Sequence, residues 1–498
     1  MGVDQQIVAL NAAGAGPRLS RWLVAAVLVT MLFAFVLTDI TWLDLNTWDE
    51  SRLAVNAIEM LANGNRLVPT YGFAPDLWNT KPPLMVNLMA TAMQLLGPSY
   101  FALRLPSALA MAATVVLLAW YTGRTTRSPG TGIAAGVLLA SAQGFHGYHG
   151  GQTGDYDALL TLFSTAYGLA LFSLLDSDSR RPGVAVLAGL AIGLAILTKG
   201  VAGLVPGVGL ALFAIVPTPR RLVRNWPDYA LVLVVALALG GGFYLLRSLA
   251  DPAYLGAVAS NELNGRYSHI LGPRFGAFYY VGSIARQPIG MLAPLLVALL
   301  LLPPGRLRRL GGLAVLQLVI IVTVYSSAAT KYFWYAMPAY PWLALGLALA
   351  GYAVWRRAAR LVSPALLTSL CAVLLVGLAA NAVRVRYVRP WVAVTPPRAF
   401  DDLIAAAARL RPGTALGVVD GGVVLAAGPA HYAPVLRFEA LRAARQGRQV
   451  EQLVSVAAAA GRPLVGACDP SLRAAVAASG AALWTGHGCV LVSRAVQG

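Results

Sequence analysis

The sequence predicts a polytopic α-helical membrane protein with a small α/β domain at its C-terminal end. Three observations predict it. Apolar runs about as long as a bilayer is thick recur along most of the chain. Of the 498 residues 58% are hydrophobic and 12% are charged, against about 25% charged in a soluble globular domain, so a water-facing surface could not be covered. Most of the arginines sit in short clusters between apolar runs, where cytoplasmic loops carry them. That placement accounts for the net charge of +18 without nucleic acid.

The first run, "WLVAAVLVTMLFAFVLT", follows Arg18 and Arg21 with no small-residue cleavage site after it. It reads as an uncleaved first helix with its N-terminus inside. Eleven spans are expected, near 19–38, 104–122, 131–145, 157–175, 183–198, 201–216, 229–248, 287–302, 312–328, 333–354 and 363–382. Short connections bearing arginine ("GRTTR", "DSDSRR", "PTPRRLVR", "PPGRLRR", "WRRAAR") alternate with a second set: 39–103, "HGYHGGQTGDYD", "TKG", 249–286, "AATK" and everything after 383. The first set belongs to the cytoplasm and the second to the outer face. The segment "PLMVNLMATAMQLLG" (83–97) is too short to cross. A crossing there would also turn every later arginine cluster outward, so it is expected to lie at the outer surface.

The chain therefore divides into a membrane domain, 1–383, with a long outer loop over 39–103, and an extracytoplasmic domain, 384–498. In the second, "TALGVVD", "PLVGACD" and "CVLVS" read as short buried strands. "AFDDLIAAAARL", "RFEALRAARQGRQVEQLVSVAAAA" and "SLRAAVAASG" read as helices, an alternation typical of a small α/β domain. Cys371 lies in an apolar run, while Cys468 and Cys489 lie in this tail and either pair there or remain free thiols.

Chemistry concentrates on the outer face. Only three of the 38 Lys+Arg are lysines, Lys81, Lys199 and Lys331, and all three fall there. Lysine is a compact charge suited to phosphate, although near a span end it also serves simply by snorkelling. Among the 20 Asp+Glu, "DLNTWDESR" places Asp44, Asp49 and Glu50 after the first span, and "QTGDYDALL" places Asp155 and Asp157 at the start of another. Carboxylates so close to a bilayer are candidates for function. Asp49 also opens an amphipathic helix, "DESRLAVNAIEMLANG", closing at Gly64, where an acid favours the N-terminus and Glu50 reads as a capping charge. The third outer loop, "NELNGRYSHILGPRFGAFYY", gathers Glu262, Arg266, His269 and Arg274, with His269 a metal-ligand candidate or a solvated histidine. Trp78, Tyr279, Tyr280 and Tyr335 either line a lipid groove or form an interfacial aromatic belt.

The Asp-Glu pair after the first span, the stretch "EMLANGNRLVPT", then "TKPPL" and "FALRLPSALA", resemble the first outer loop of polyprenyl-phosphate-dependent glycosyltransferases of the GT-C type. The branch resembled holds the lipid A aminoarabinose transferase and protein O-mannosyltransferase-like enzymes. "GDYDALLTLF", "LAILTKGVAGLVP" and "KYFWYAMPAYPWLALGLA" extend the likeness over roughly residues 20–350. The resemblance implies a GT-C fold in a bacterial inner membrane, with the active site and C-terminus on the periplasmic side. It implies a monomer that moves a sugar, with inversion, from an undecaprenyl-phosphate donor to lipid A, another glycan or a protein. Asp49 matches the catalytic aspartate and Asp157 the second acid, with Asp155 beside it. Lys81, Lys199 and Lys331 match family lysines, the first two as ligands of the lipid phosphate, and Arg266 joins them as a phosphate-binding candidate. Thr80 stands where many relatives have a metal-binding glutamate, and a hydroxyl replaces a carboxylate poorly, so a divalent metal ion stays an open cofactor.

Such a donor needs its leaving phosphate stabilised and its acceptor deprotonated or oriented. Two cations and one carboxylate on opposite faces of the sugar suffice. A transporter or flippase of lipid-linked saccharides is the competing class. It would place ionisable groups near the bilayer middle in repeated halves, and no repeat is found. A plain membrane anchor for the tail leaves the Asp49–Lys81 loop unexplained.

Overall fold

The computed structural model describes residues 29–388 apart from 39, 42–44, 47–48, 216–218, 266–267 and 269–273, together with 399–420 and 433–494. Asp44, Arg266 and His269 lie outside the described residues. The described end of the first expected span is a helix over 29–37.

Seven helical segments among the described residues are long and apolar enough to cross a bilayer: Tyr100–Thr126, Tyr156–Leu175, Pro182–Ile215, Trp226–Ala250, Arg306–Ser327, Phe333–Ala358 and Pro364–Arg386. The third of these is two arms. A Cβ on Gly203 would lie 2.7 Å from the Ala195 carbonyl carbon, whereas residues eight apart in a continuous helix are about 12 Å apart. The chain reverses at Gly200, whose φ of +59° suits glycine, and Lys199 sits at the tip of the resulting hairpin. The expected separation of 183–198 from 201–216 is therefore physical.

Two other expected spans are shorter than anticipated. The run near 131–145 is the helix Pro129–Ala140 followed by the turn Gln143–His146. The run near 287–302 is Pro288–Met291 followed by a 3₁₀ stretch, Ala293–Leu301. Pro288 and Pro294 lack the N–H donors that a continuous α-helix there would use. The segment expected at the outer surface is the helix Leu84–Leu96, about 20 Å long and ended by Gly97 at φ +81°.

The helices share two ends. At one, Asp176 receives Arg306 (3.2 Å), Arg221 (3.5 Å) and Arg309, while Asp178 receives Arg221 (3.1 Å) and Arg224 (2.7 Å). Arg180 pairs with Asp228 at 3.2 Å, and the Tyr121 hydroxyl meets Ser173 Oγ at 3.0 Å. Arginine-bearing connections that are far apart in sequence thus meet at one face, as the charge pattern predicts. Asp157 lies at the other end of the same 20-residue helix, Tyr156–Leu175, about 30 Å away, roughly one hydrocarbon thickness.

Four helices position what lies there: α1 (Asp49–Asn63), α2 (Leu84–Leu96), α3 (Tyr100–Thr126) and α4 (Tyr156–Leu175). Helix α1 ends at Gly64, φ +70°, as its sequence predicts. A hairpin, β1 (Thr70–Tyr71) with β2 (Ala74–Pro75), follows it. Glu50 is more than a capping charge. Its carboxylate takes Arg104 of α3 through Nε (2.6 Å) and a terminal nitrogen (2.9 Å), the Gly154 amide (2.7 Å), and the Asn46 amide and side chain (2.9 and 2.7 Å). Burial pushes the Glu50 pKa up, but Arg104 and these amides outweigh it and hold it below the usual carboxylate range.

The tail is an α/β domain, as expected, built on a five-stranded sheet: β3 (Leu416–Val419), β4 (Val450–Leu453), β5 (Leu464–Ala467), β6 (Ala481–Gly486) and β7 (Cys489–Ser493), in the order β4-β3-β5-β7-β6. The first three run parallel and the last two antiparallel to their neighbours. One expected helix, 437–460, is corrected. Helix Ala433–Ala444 stops before Gly447, φ +76°, and the chain turns into β4. Cys468 and Cys489 form a disulfide.

Replacing Arg104 by methionine leaves Glu50 buried without its ion partner. The expected loss is about 3–5 kcal/mol, read as a lower unfolding temperature of the detergent-solubilised protein; an unchanged temperature would show the pair to be dispensable.

Candidate active site

One cavity opens where the long loop that carries α1 and the hairpin meets the end of the bundle opposite the arginine clusters. Asp49, Arg52, Trp78, Asn79, Lys81, His149, Asp155, Asp157, Lys199, Trp334 and Tyr335 line it, with Leu53 and Tyr156. Asp49 and Arg52 stand three residues apart on α1 and so share a face. Asp155 caps α4 and Asp157 lies in its first turn. The approach to α4 is glycine-rich because it nests against α3. A Cβ on Gly151 would lie 2.6 Å from the Met111 sulfur. Ser107 of α3 accepts from the Asp155 amide (3.1 Å) and donates to its carbonyl (3.0 Å).

At the centre is His149, held at φ +61°. Its Nδ1 lies 2.7 Å from Asp155 and 3.6 Å from Asp157, and its Nε2 lies 3.8 Å from Asp49. The ring stacks on Trp334 (centroids 3.9 Å apart, 5° between planes), and Trp334 stacks on Tyr332 in turn. Burial alone would lower the His149 pKa. The carboxylates, Asp155 first, outweigh burial and push it up to about 9. Asp157 binds Lys199 Nζ at 2.5 Å, and that ammonium sits 5.1 Å from the Tyr335 ring centroid.

Lys81 is buried, 3.5 Å from Glu262 and 5.4 Å above the Tyr156 ring. Its segment is braced from both sides. Thr80 Oγ1 donates to Glu262 (3.1 Å), Tyr254 to the Thr80 carbonyl (2.8 Å) and Asn261 to the Leu77 carbonyl (2.9 Å). Asp76 takes a two-pronged bond from Arg52 (2.9 and 2.7 Å) and the amides of Trp78 and Asn79 (3.1 and 3.2 Å). Burial raises the Asp76 pKa, but Arg52 and these donors keep it below its ordinary value.

Of the residues singled out in the sequence, Asp49, Asp155, Asp157, Lys81 and Lys199 meet around this cavity, with Trp78 and Tyr335. Lys331 does not line it. Its ammonium donates to the Ala328 carbonyl at 2.6 Å. Tyr280 is buried near Tyr325, and Tyr279 stacks on Phe275. Sequence reasoning passed over His149, Arg52 and Trp334. A histidine six residues before Asp155, in a glycine-rich outer loop, was the available signal for the first. The i+3 spacing from Asp49 was the signal for the second. The stacking of Trp334 has none.

Asp49, His149 and Asp155 offer ligand atoms within 4.8 Å of one another. His149 Nε2 is buried and makes no hydrogen bond among the described residues. Two carboxylates and an imidazole suit a divalent ion such as Mn²⁺ or Zn²⁺. The residues present therefore fit a metal, which would compete with the His149 proton.

Residues 80–240 match the family described as dolichyl-phosphate-mannose-protein mannosyltransferase. Curated relatives include the undecaprenyl phosphate-alpha-4-amino-4-deoxy-L-arabinose arabinosyl transferases of Aeromonas salmonicida and Shewanella sediminis. The first is 28% identical over 264 residues, 52% of this chain and 46% of the relative; the second is 31% identical over 240 residues, 46% and 41%. The chain thus spans under half the length of these relatives. The crystal structure of ArnT from Cupriavidus metallidurans bound to undecaprenyl phosphate has TM-score 0.69 at 18% identity, covering 96% of this chain and 99% of that one. Archaeal oligosaccharyltransferase AglB from Archaeoglobus fulgidus, in complex with an inhibitory peptide and a dolichol-phosphate, has TM-score 0.51 at 11% identity, covering 89% and 69%. The fold is the GT-C fold, as the sequence led us to expect.

The raised His149 pKa makes a linkage prediction for metal-depleted protein. An unfolded histidine titrates near 6.5, so the stabilisation from this imidazolium is complete below about pH 6.5 and is lost as the pH rises through about 9. The unfolding temperature of wild type minus that of His149→Asn should shrink across that window. A constant difference would place the pKa elsewhere.

Proposed function

We propose that this chain is an inverting glycosyltransferase that moves a sugar from a polyprenyl-phosphate donor, undecaprenyl phosphate in bacteria, to lipid A, another envelope glycan or a protein. The observation that carries this reading is the convergence of Asp49, Asp157, Lys81 and Lys199, from four separate segments, on one cavity. That cavity lies at the bundle end opposite the arginine clusters. The fold is shared with an enzyme bound to undecaprenyl phosphate. By the positive-inside rule the arginine end is cytoplasmic, so we assign the cavity and the tail domain to the periplasmic side of the inner membrane. Residues 1–383 are then the catalytic unit and 384–498 an outer domain.

A polyprenyl tail lies in hydrocarbon while its phosphate reaches the edge of the bilayer. Lys199, at a hairpin tip, and Lys81 stand at that level. As the bond between the anomeric carbon and the phosphate oxygen breaks, its electron pair goes to the phosphate, and these ammonium groups stabilise the growing charge in a poorly screened site. Asp49 orients the acceptor on the opposite face of the sugar and takes its proton where it has one. A single displacement inverts the anomeric centre. Asp155 and Asp157 fix His149 and Lys199. Where a divalent ion binds, Asp49, His149 and Asp155 hold it, and it adds positive charge to the cavity.

The test is transfer of labelled sugar from a synthetic polyprenyl phosphate donor to envelope acceptors in membranes containing the protein. Asp49→Asn should lower the rate by about 10²–10⁴-fold and Lys81→Ala should abolish donor use, with folding unchanged. Undiminished transfer by Asp49→Asn would remove the assigned base. Chelation separates the two forms of the cluster: a metal-assisted site loses activity and regains it with added Mn²⁺ or Zn²⁺, and a metal-free site is indifferent. Sidedness is read separately by thiol labelling in a Cys371→Ser background. Leu77→Cys should react from outside and Ser179→Cys only after the membrane is opened; the reverse pattern would overturn the assignment.

A further inference from the structure

The tail domain reaches the first outer loop through α7, Ala433–Ala444 in the tail (α5 being Pro182–Lys199 and α6 Ala399–Leu410). Phe438 is fully buried in the cluster formed by α1, α2 and the start of α3, among them Leu53, Ile58 and Met89. Beside it, Arg437 donates to Glu59 of α1 through Nε at 2.7 Å and a terminal nitrogen at 2.6 Å. Glu59 is fully buried, and its carboxylate also accepts the amides of Gly72 (3.0 Å) and Phe73 (2.8 Å) at the tip of the β1–β2 hairpin. On the other side of Phe438, Tyr100 donates to Glu439 at 2.8 Å.

From the hairpin the contacts continue into the cavity wall. The Tyr71 ring faces Arg437 at 5.6 Å and Arg52 at 4.3 Å, and Arg52 also lies 4.7 Å from the Trp78 ring. The hairpin base closes on Asp76, whose amide donates to the Pro69 carbonyl at 2.9 Å. Asn56 donates to both the Thr70 carbonyl (2.6 Å) and Asp76 (3.0 Å), and Asn79 and Tyr156 complete the chain. Asp76 forks onto Arg52. With Tyr71 and Trp78 both within 5 Å of its guanidinium and two of its nitrogens forked onto Asp76, Arg52 lines the cavity in a restricted position. It stands one turn from Asp49, on the side where the acceptor must approach.

We propose that Arg437 of the tail domain is a positioning residue for the active site: by holding Glu59 and the hairpin tip, it sets Arg52 and Trp78, and so completes the acceptor side of the cavity from a separate domain. This rests on the transferase reading for the assignment of sides. A buried acid that must satisfy two hairpin amides needs a cation to offset its own burial. Without Arg437 the acid is uncompensated and the hairpin loses its anchor.

The test uses the full-length protein in detergent with the labelled donor, its intact Cys468–Cys489 bridge confirming a folded tail. Arg437→Met keeps the side chain's bulk and removes its charge. It should raise acceptor KM roughly tenfold, with donor KM unchanged, since small misplacements of positioning groups carry costs of this order or more. Arg437→Lys should recover part of the loss by restoring the ion pair without the planar fork. The Arg437→Met and Arg52→Lys effects should be non-additive in a double-mutant cycle. Hydrogen exchange of the amides of residues 69–79 should accelerate in Arg437→Met while that of 84–96 stays as in wild type. Faster exchange with no transfer in any variant, wild type included, would leave the clamp standing and overturn the transferase reading. Wild-type kinetics and exchange in Arg437→Met would overturn the clamp, and so would equal losses for donor and acceptor.

Discussion

The geometry of the cavity depends on one buried contact, the ion pair between Glu50 and Arg104. Neither side chain reaches solvent, and each carries further bonds: Glu50 to Gly154 and Asn46, Arg104 to the Ile40 carbonyl at 2.8 Å. The pair thereby joins the end of the first span, the start of α1, helix α3 and the glycine-rich approach to α4. Asp49 is the neighbour of one partner and Asp155 the neighbour of a residue the pair binds. A buried pair like this is a poor source of net stability compared with apolar packing. What it supplies is register between two loops that are about a hundred residues apart in sequence.

The cavity's own charges obey a related rule. Asp157 faces Lys199, Lys81 faces Glu262, Arg52 faces Asp76, and His149 sits among three carboxylates. Charges gathered at a membrane edge would repel or desolvate one another unless each had a counterpart nearby. The pairing keeps cations and acids close without neutralising them permanently. The arginine end of the bundle follows the same logic with a different cation, because its pairs on Asp176 and Asp178 serve only to bind loops together.

Much of this was legible in the sequence, and the limits have physical causes. Alternating arginine clusters were legible as one end of the bundle, and the structure gathers three of those connections onto Asp176 and Asp178. Asp49, Lys81, Asp155, Asp157 and Lys199 were legible because ionisable groups are scarce in so apolar a chain. Their convergence on one cavity was expected from their placement in alternate connections, yet His149 was hidden. His146, buried three residues earlier in the same glycine-rich stretch, makes no side-chain hydrogen bond among the described residues, and spacing to Asp155 separates the two only weakly. Only the long-range positions of Trp334 and Asp49 make the difference. The short spans escaped because apolarity fixes burial and not helical type. Strand β4 escaped because its alanine- and arginine-rich surroundings favour helix until Gly447 breaks it. Arg266 and His269, both named from sequence, lie outside the described residues.

The scarcity of lysine takes on meaning against this background. Arginine holds a carboxylate through its planar guanidinium: it forks onto both oxygens at Asp76 and Glu50, and sets two nitrogens on one oxygen at Glu59 and Asp176. Lysine is a point charge on a flexible stem, with no fork to break when its partner changes. Both cavity lysines rest on carboxylates, Lys199 on Asp157 and Lys81 on Glu262. In the reaction proposed above, a phosphate binds, gains charge and leaves, and that needs cations that can shift between a protein carboxylate and a substrate oxygen. The guanidinium contacts belong where the protein must stay still, in Arg104, Arg52 and Arg437. The point charges belong where, in the proposed reaction, a substrate would come and go. Lys331, which donates to the Ala328 carbonyl outside the cavity, does not share this arrangement, so the contrast is between the carboxylate-bound arginines and the two cavity lysines.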